Sequence, residues 1–273
     1  FLSKNMIVSI YFLKFNILIY HIISFVFMDS EQLEGKKIGR FILKKAIGEG
    51  AFSSVYLAEE RIHRKHGSKD NNKKEKKENT DKDNENKDDT ENKDNNNQKE
   101  HKHRIPKLVA CKIIPRTKIE AKKMTTRLDQ EIKVHQLMHH PNVLQLIDIY
   151  QNSKYYYIFL EYCSNGDLFN YIYNNGKLTE NEASFFMKQI LTGLKYIHSL
   201  NVAHRDIKPE NILLDSNYTV KICDFGSSKL INKKKNRLTK TPYGSPSYSS
   251  PESLSGNPYD AQKSDIWACG VIL

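Results

Sequence analysis

Residues 201–227 read NVAHRDIKPENILLDSNYTVKICDFGS. Ile212-Leu213-Leu214 and Val220-Lys221-Ile222 are short apolar runs, and Asp215-Ser216-Asn217-Tyr218 between them is turn chemistry. The stretch therefore reads as a β-hairpin. Counted outward from a centre between Asn217 and Tyr218, Asn211 and Asp224 are equidistant. Closing the hairpin is thus predicted to set an amide oxygen beside a carboxylate at its open end. Asp206 lies shortly upstream, with Lys208 between. Three hard oxygen groups then converge beside a flexible ammonium. Oxygen-rich, incompletely filled sites suit Mg²⁺ that keeps waters and takes its remaining ligands from phosphates. A carboxylate free of the metal can accept the proton of a hydroxyl. The stretch has the makings of a phosphoryl-transfer site. Ahead of it, Phe185, Phe186, Ile190, Leu191, Leu194 and Ile197 recur at helical spacing, which predicts one buried helix face.

Further upstream, Phe41-Ile42-Leu43 and Val55-Tyr56-Leu57 flank Gly48-Glu49-Gly50-Ala51-Phe52-Ser53. A hairpin whose tip lacks side chains lets backbone N–H groups approach phosphate oxygens. Leu108–Ile114 reads as a strand with one lysine, Lys112, inside it. A buried lysine is costly without a partner. The helical run that begins at Asp129-Gln130-Glu131-Ile132 offers Glu131. Tyr155–Glu161 (YYYIFLE) is a buried-type strand, followed by Tyr162-Cys163-Ser164-Asn165-Gly166-Asp167.

His204-Arg205-Asp206-Ile207-Lys208-Pro209-Glu210-Asn211 and Asp224-Phe225-Gly226 resemble the catalytic-loop and metal-loop motifs of eukaryotic protein kinases. The resemblance runs from about Phe41 to Leu273 and implies a two-lobed α+β fold, with a β-rich N-lobe and a mostly helical C-lobe. It also implies the roles that follow. ATP binds beneath the glycine hairpin, at Ile47, Gly48, Glu49, Gly50, Ala51, Phe52, Ser53, Ser54 and Val55, with Ala110 and Leu213 beside it. Lys112, held by Glu131, reaches the phosphates. Glu161 and Cys163 offer backbone groups to adenine, Leu160 is the gatekeeper, and Asp167 lies near the ribose. Asn211 and Asp224 hold Mg²⁺. Asp206 positions the hydroxyl, and Lys208 stabilises the departing phosphoryl group. Lys208 in the catalytic loop points to serine/threonine protein substrates.

Two positions depart from the pattern. Ser53 stands where a third glycine is usual, and the family tolerates a small residue there. His135, one turn after Glu131, stands where members carry a bulky aliphatic residue in the spine linking the lobes. It could loosen the active arrangement, confer pH sensitivity, or pack as a neutral imidazole.

Ser250-Pro251-Glu252 closes an activation segment that is rich in lysine and has no acid from Phe225 to Pro251. Mutually repelling lysines keep a loop mobile, and a phosphate would gather them together with Arg205. Thr239 and Thr241 both lie here, and Thr241 matches the family's usual phosphosite, so an upstream activating kinase is implied. Tyr243-Gly244-Ser245-Pro246-Ser247-Tyr248 resembles the calmodulin-dependent and AMP-activated kinase group. Asp167 and Glu210 match positions that receive basic substrate residues. Asp265-Ile266-Trp267-Ala268-Cys269-Gly270 matches the central C-lobe helix, and the chain stops there, so the C-lobe reads as incomplete and the chain as a fragment.

At 273 residues, with a formal charge of +11, the chain has room for one large domain. The excess charge gathers around Arg116–Arg127 and around Lys229–Lys240, the latter including Lys233, Lys234, Lys235 and Arg237. No aromatic-interleaved groove accompanies either cluster, so nucleic acid is not an expected partner. Residues 66–104 are Lys, Asn, Asp and Glu with equal numbers of acids and bases, and read as a disordered insertion in a surface loop. Cys111, Cys163, Cys223 and Cys269 lack metal-type spacing, which argues for a reducing, cytoplasmic setting. Residues 1–28 stand apart. Ile7–Met28 is apolar and about a membrane span long, but Lys14, Asn16 and His21 interrupt it. Translated upstream sequence ahead of a start at Met28, a signal anchor, and an amphipathic segment are the three readings. The rival function from another class is a pseudokinase, a binding scaffold without catalysis.

Overall fold

The computed structural model describes residues 33–50, 53–61, 106–231, 238–241 and 243–273. The apolar segment 1–28, the insertion 66–104, Ala51, Phe52, Lys233, Lys234, Lys235 and Arg237 lie outside these.

Six strands form one antiparallel sheet: β1 (Lys37–Ile38), β2 (Phe41–Glu49), β3 (Ser54–Glu60), β4 (Leu108–Pro115), β5 (Leu146–Gln151) and β6 (Tyr155–Glu161), in the order β1-β2-β3-β4-β6-β5. Alternation along β4 decides what Lys112 can do. Val109, Cys111 and Ile113 turn to a core shared with Phe41, Leu43 and Phe159. Ala110 and Lys112, one residue out of step, must face the other way. There lies α2 (Thr125–Gln136), reached through the short α1 (Arg116–Ala121). Leu128 and His135, two turns apart, are the buried residues of α2, and Glu131 lies between them on the same side.

Beyond β6 come α3 (Leu168–Asn175) and α4 (Glu180–Ser199). Thr179 and Glu182 form a capping box at the start of α4, with Thr179 N–H on Glu182 Oε2 at 2.8 Å and Glu182 N–H on Thr179 Oγ1 at 3.3 Å. The buried face of α4 is Phe186, Ile190, Leu194 and Ile197. Phe185 and Leu191, expected on that face, are 50% and 42% exposed. Buried residues one or two full turns apart define the stripe, and these two sit at its flanks.

The hairpin forms as β8 (Ile212–Leu214) and β9 (Val220–Ile222). Its register corrects the expectation. Ile212 faces Ile222 and Leu214 faces Val220, so the centre is Asn217 and the connector runs from Asp215 to Thr219. Asp215 Oδ1 accepts from the N–H groups of both Asn217 and Thr219 at 2.8 Å, and Tyr218 takes φ +59°. That side-chain bonding draws one more residue into the turn. Asn211 consequently sits opposite Cys223, whose N–H donates to Asn211 O at 3.0 Å, and Asp224 follows one residue beyond. β9 also joins the two parts of the fold. Ile222 N–H donates to Asn142 O and Leu144 N–H to Ile222 O. Gly193 of α4 backs this junction, since a Cβ there would lie 2.7 Å from Asn142 O.

Two two-residue pairings finish the described chain: β7 (Val202–Ala203) with β10 (Lys229–Leu230), and β11 (Leu238–Thr239) with β12 (Tyr259–Asp260), ahead of α6 (Ala261–Ile272). The short α5 (Pro251–Leu254) precedes β12. A β-sheet part and a largely helical part around the α4 stripe give an α+β, two-lobed architecture.

Candidate active site

The catalytic loop takes its shape from one buried carboxylate. Asp265 of α6, 1% exposed, accepts from His204 N–H at 2.9 Å and Arg205 N–H at 2.7 Å, and lies 2.8 Å from His198 Nε2. With both amides held, Arg205 adopts φ +67°, a conformation that non-glycine residues seldom take. His204, fully buried, faces the carbonyl of Cys223 through Nε2 at 2.9 Å. These bonds clamp the loop to β9, and the next residue out is Asp206.

Both carboxylate oxygens of Asp206 are engaged. Oδ1 accepts from Ser245 N–H at 2.9 Å and from Ser245 Oγ at 3.0 Å. Oδ2 accepts from Asn211 Nδ2 at 3.1 Å and lies 3.4 Å from Lys208 Nζ. Lys208 Nζ also donates to Ser245 Oγ at 2.8 Å. Asn211 Nδ2 further donates to Asp206 O at 2.8 Å, which fixes its amide and leaves its oxygen as the free acceptor.

Asp224 sits at φ +64°, and its Oδ1 caps the following 3-10 turn through Gly226 N–H at 3.2 Å. Lys112 Nζ meets Glu131 Oε1 at 3.3 Å. Burial works against the charge on Lys112, but Glu131 and Asp224 together outweigh it and hold the ammonium above the ordinary lysine range. An ammonium and two carboxylates, those of Glu131 and Asp224, thus gather where β4, α2 and the end of β9 meet, and Asn211 lies across the hairpin from Cys223, the residue before Asp224. Hard oxygen donors of this kind fit a magnesium ion better than a softer metal.

Around the cleft, Val55 is opposite Lys112, and Ala110 is opposite both Leu57 and Leu160, so these side chains share one sheet face. Gly48 pairs with Val55 and Glu49 with Ser54. Ile47, Gly50 and Ser53 are in the same hairpin, while Ala51 and Phe52 fall outside the described residues. Leu213 forms a bridge with Asp167, fastening the start of α3 to β8. Asp167 has a second engagement. It N-caps α3, with Oδ1 on Asn170 N–H at 2.8 Å and Oδ2 on Asn170 Nδ2 at 2.7 Å. Glu161 pairs with Lys221 at 2.6 Å. Burial pushes the Cys163 thiol up to about 12, and Cys223, also buried, is raised further, so neither is a poised nucleophile.

His135 is buried, with Nε2 2.7 Å from Leu144 O and its ring 5.0 Å from that of Phe225. Burial lowers its pKa to about 4, so it packs as the neutral imidazole. In the activation segment the two threonines part company. Thr239 is 2% exposed and bound by Lys229 Nζ at 2.9 Å, whereas Thr241 is exposed.

The sequence reading did not single out Ser245, Asp265 or His198 as site residues. Their partners lie 37 to 67 residues away along the chain, and neither spacing nor periodicity carries such a signal.

Residues 97–273 match the protein kinase domain family. Over 150 residues the chain is 46% identical to a probable serine/threonine-protein kinase of Dictyostelium discoideum, a match covering 55% of this chain and 18% of that protein. Over 146 residues it is 46% identical to the serine/threonine-protein kinase GIN4 of Saccharomyces cerevisiae, covering 54% and 13%. The matched stretch therefore spans less than a fifth of either relative.

Proposed function

The chain belongs to the protein kinase domain family, and from that premise we propose that it transfers the γ-phosphate of ATP to serine and threonine hydroxyls of proteins. The observation that carries this reading is the assembly of Lys208, Asn211 and Ser245 around Asp206, with Lys112 paired to Glu131 and drawn by Asp224. A pseudokinase would be expected to lack one of these groups.

Each residue then has a task. Lys112, kept charged, orients the phosphates of ATP. Adenine lies against Ala110, Leu160 and Leu213, with backbone groups of Glu161 and Cys163 at its edge, and the hairpin from Ile47 to Val55 covers the phosphates. Asp206 accepts the proton of the incoming hydroxyl. Ser245 and Asn211 hold its carboxylate in place, so little reorganisation accompanies transfer. Lys208 offsets charge on the phosphoryl group. Asn211 and Asp224 would hold Mg²⁺, which neutralises phosphate charge when bound.

Phosphorylation of Thr241 by an upstream kinase is the proposed activating event. Its exposure, two residues before Tyr243, whose ring lies against Arg205 and Arg127, supports Thr241 over the buried Thr239. Asp167 and Glu210 favour substrates with basic residues near the target hydroxyl, and the 243–248 motif suggests the calmodulin-dependent and AMP-activated group. Four free cysteines suit a cytoplasmic setting. No helix among the described residues is long and apolar enough to cross a membrane, and the segment 7–28 lies outside them.

One assay tests these points together. The protein and its Thr241→Ala variant are given labelled ATP and a panel of Ser, Thr and Tyr peptides with or without upstream arginines, before and after treatment with an activating kinase. Label should appear on Ser and Thr peptides, more on the basic ones, and rise on treatment in the parent alone. Label on tyrosine peptides, or none at all, contradicts the substrate class. An equal rise in Thr241→Ala removes the switch.

A further inference from the structure

Two guanidinium groups lie against the ring of Tyr243. Arg205 Cζ is 4.3 Å from its ring centroid and Arg127 Cζ is 5.0 Å away. The two arginines come from distant places. Arg127 is on α2, one turn before Glu131, and Arg205 immediately precedes Asp206. Both also reach the turn after Asp224: Arg127 Nε donates to Gly226 O at 2.9 Å, and Arg205 Nε to Ser227 O at 2.6 Å. Among the described residues no carboxylate pairs with either side chain. Arg205 also bonds the Tyr259 side chain and feels the Asp265 carboxylate, but two like charges still converge on one small region with no ion pair of their own. An aromatic ring is negative on both faces, so one ring can attract both.

The residues after Tyr243 fix its position. Gly244 has φ +96°, and a Cβ there would strike the Arg205 carbonyl. Ser245 then meets Asp206 and Lys208. Three consecutive residues therefore touch the catalytic loop, first by a ring, then by bare backbone, then by a hydroxyl.

We propose that Tyr243 is a positioning residue for phosphoryl transfer: while Thr241 is unmodified, its ring stands in for the phosphate and holds Arg127 and Arg205 together. Through them it keeps Glu131 directed at Lys112 and Asp206 directed at the substrate hydroxyl. The proposal rests on the kinase reading above. Once Thr241 carries a phosphate, the arginines have an anion and the ring becomes largely redundant.

The test compares Tyr243→Phe and Tyr243→Leu in two backgrounds, Thr241→Ala and Thr241 phosphorylated. In Thr241→Ala, Phe should retain the parental kcat within about twofold, while Leu lowers it about tenfold with little change in KM for ATP. In the phosphorylated protein the Leu cost should shrink below about threefold. Equal behaviour of Phe and Leu, or a Leu loss that ignores phosphorylation, overturns the proposal. A general packing role would produce the second of these. Should the Leu variant not fold, progressive fluorination of a phenylalanine at position 243 weakens the ring's attraction at nearly constant shape. Activity should then fall stepwise, and a flat series counts against the proposal. If the phosphorylated parent is active but Thr241→Ala is dead, this proposal falls alone. If neither transfers phosphate, the kinase reading falls with it.

Discussion

His135 sets a limit on the pH range this fold tolerates. Its ring is enclosed by Phe225 and the Leu144 carbonyl, and burial brings its pKa to about 4. In the unfolded chain a histidine takes up its proton near pH ~6.5. The folded-state value is depressed, so the unfolded state binds the proton first as pH falls. Stability is then whole above about pH 6.5 and drains away toward pH 4, by on the order of 3 kcal/mol. His135→Leu should flatten this acid limb, as read from urea midpoints at stepped pH. An acid limb as steep as the parent's would show that the proton goes elsewhere. The sequence flagged His135 as out of pattern and left open what it does. Which reading holds depended on an acceptor nine residues further along the chain.

At the scale of elements, the hairpin was legible and its register was not. Apolar triplets around a polar connector announced two strands, but the Asp215 side chain drew Thr219 into the turn. That moved the centre by half a residue, shifted every pairing by one, and put Cys223, not Asp224, opposite Asn211. Strand alternation placed Lys112 on the face toward α2, a consequence readable from residues 108–114 alone. Lys221 carries a consequence that was not. It is 8% exposed and bridges to Glu161 at 2.6 Å, fastening β9 to the end of β6. Glu161 keeps partial contact with water, so breaking the pair costs less than for a fully buried one. Lys221→Met should lower stability by about 1–2 kcal/mol. Combined with Glu161→Gln, it should cost less than the two changes summed. Strict additivity in thermal or urea unfolding would mean that the pair adds nothing.

At the scale of the whole molecule, a fixed order of motifs conveyed the two-lobed architecture, because each motif demands its own neighbour: glycine hairpin, strand lysine, helix acid, catalytic loop, metal loop. The internal bracing stayed hidden. Asp265 is 60 residues from the Arg205 amide it fixes, and Ser245 is 39 from Asp206. Such contacts come from the closed fold, not from local pattern. They make the site a preorganised one, with the acceptor carboxylate held on both oxygens before any substrate arrives. Asp206 is proposed to serve transfer and not nucleotide binding. A comparison of Asp206→Asn with the parent, for phosphate transfer to a Ser/Thr peptide and for ATP affinity by calorimetry, tests this. Transfer should fall on the order of 10²–10⁴-fold while affinity stays within about threefold. Transfer near the parental rate, or an affinity lost in step with it, would contradict the account.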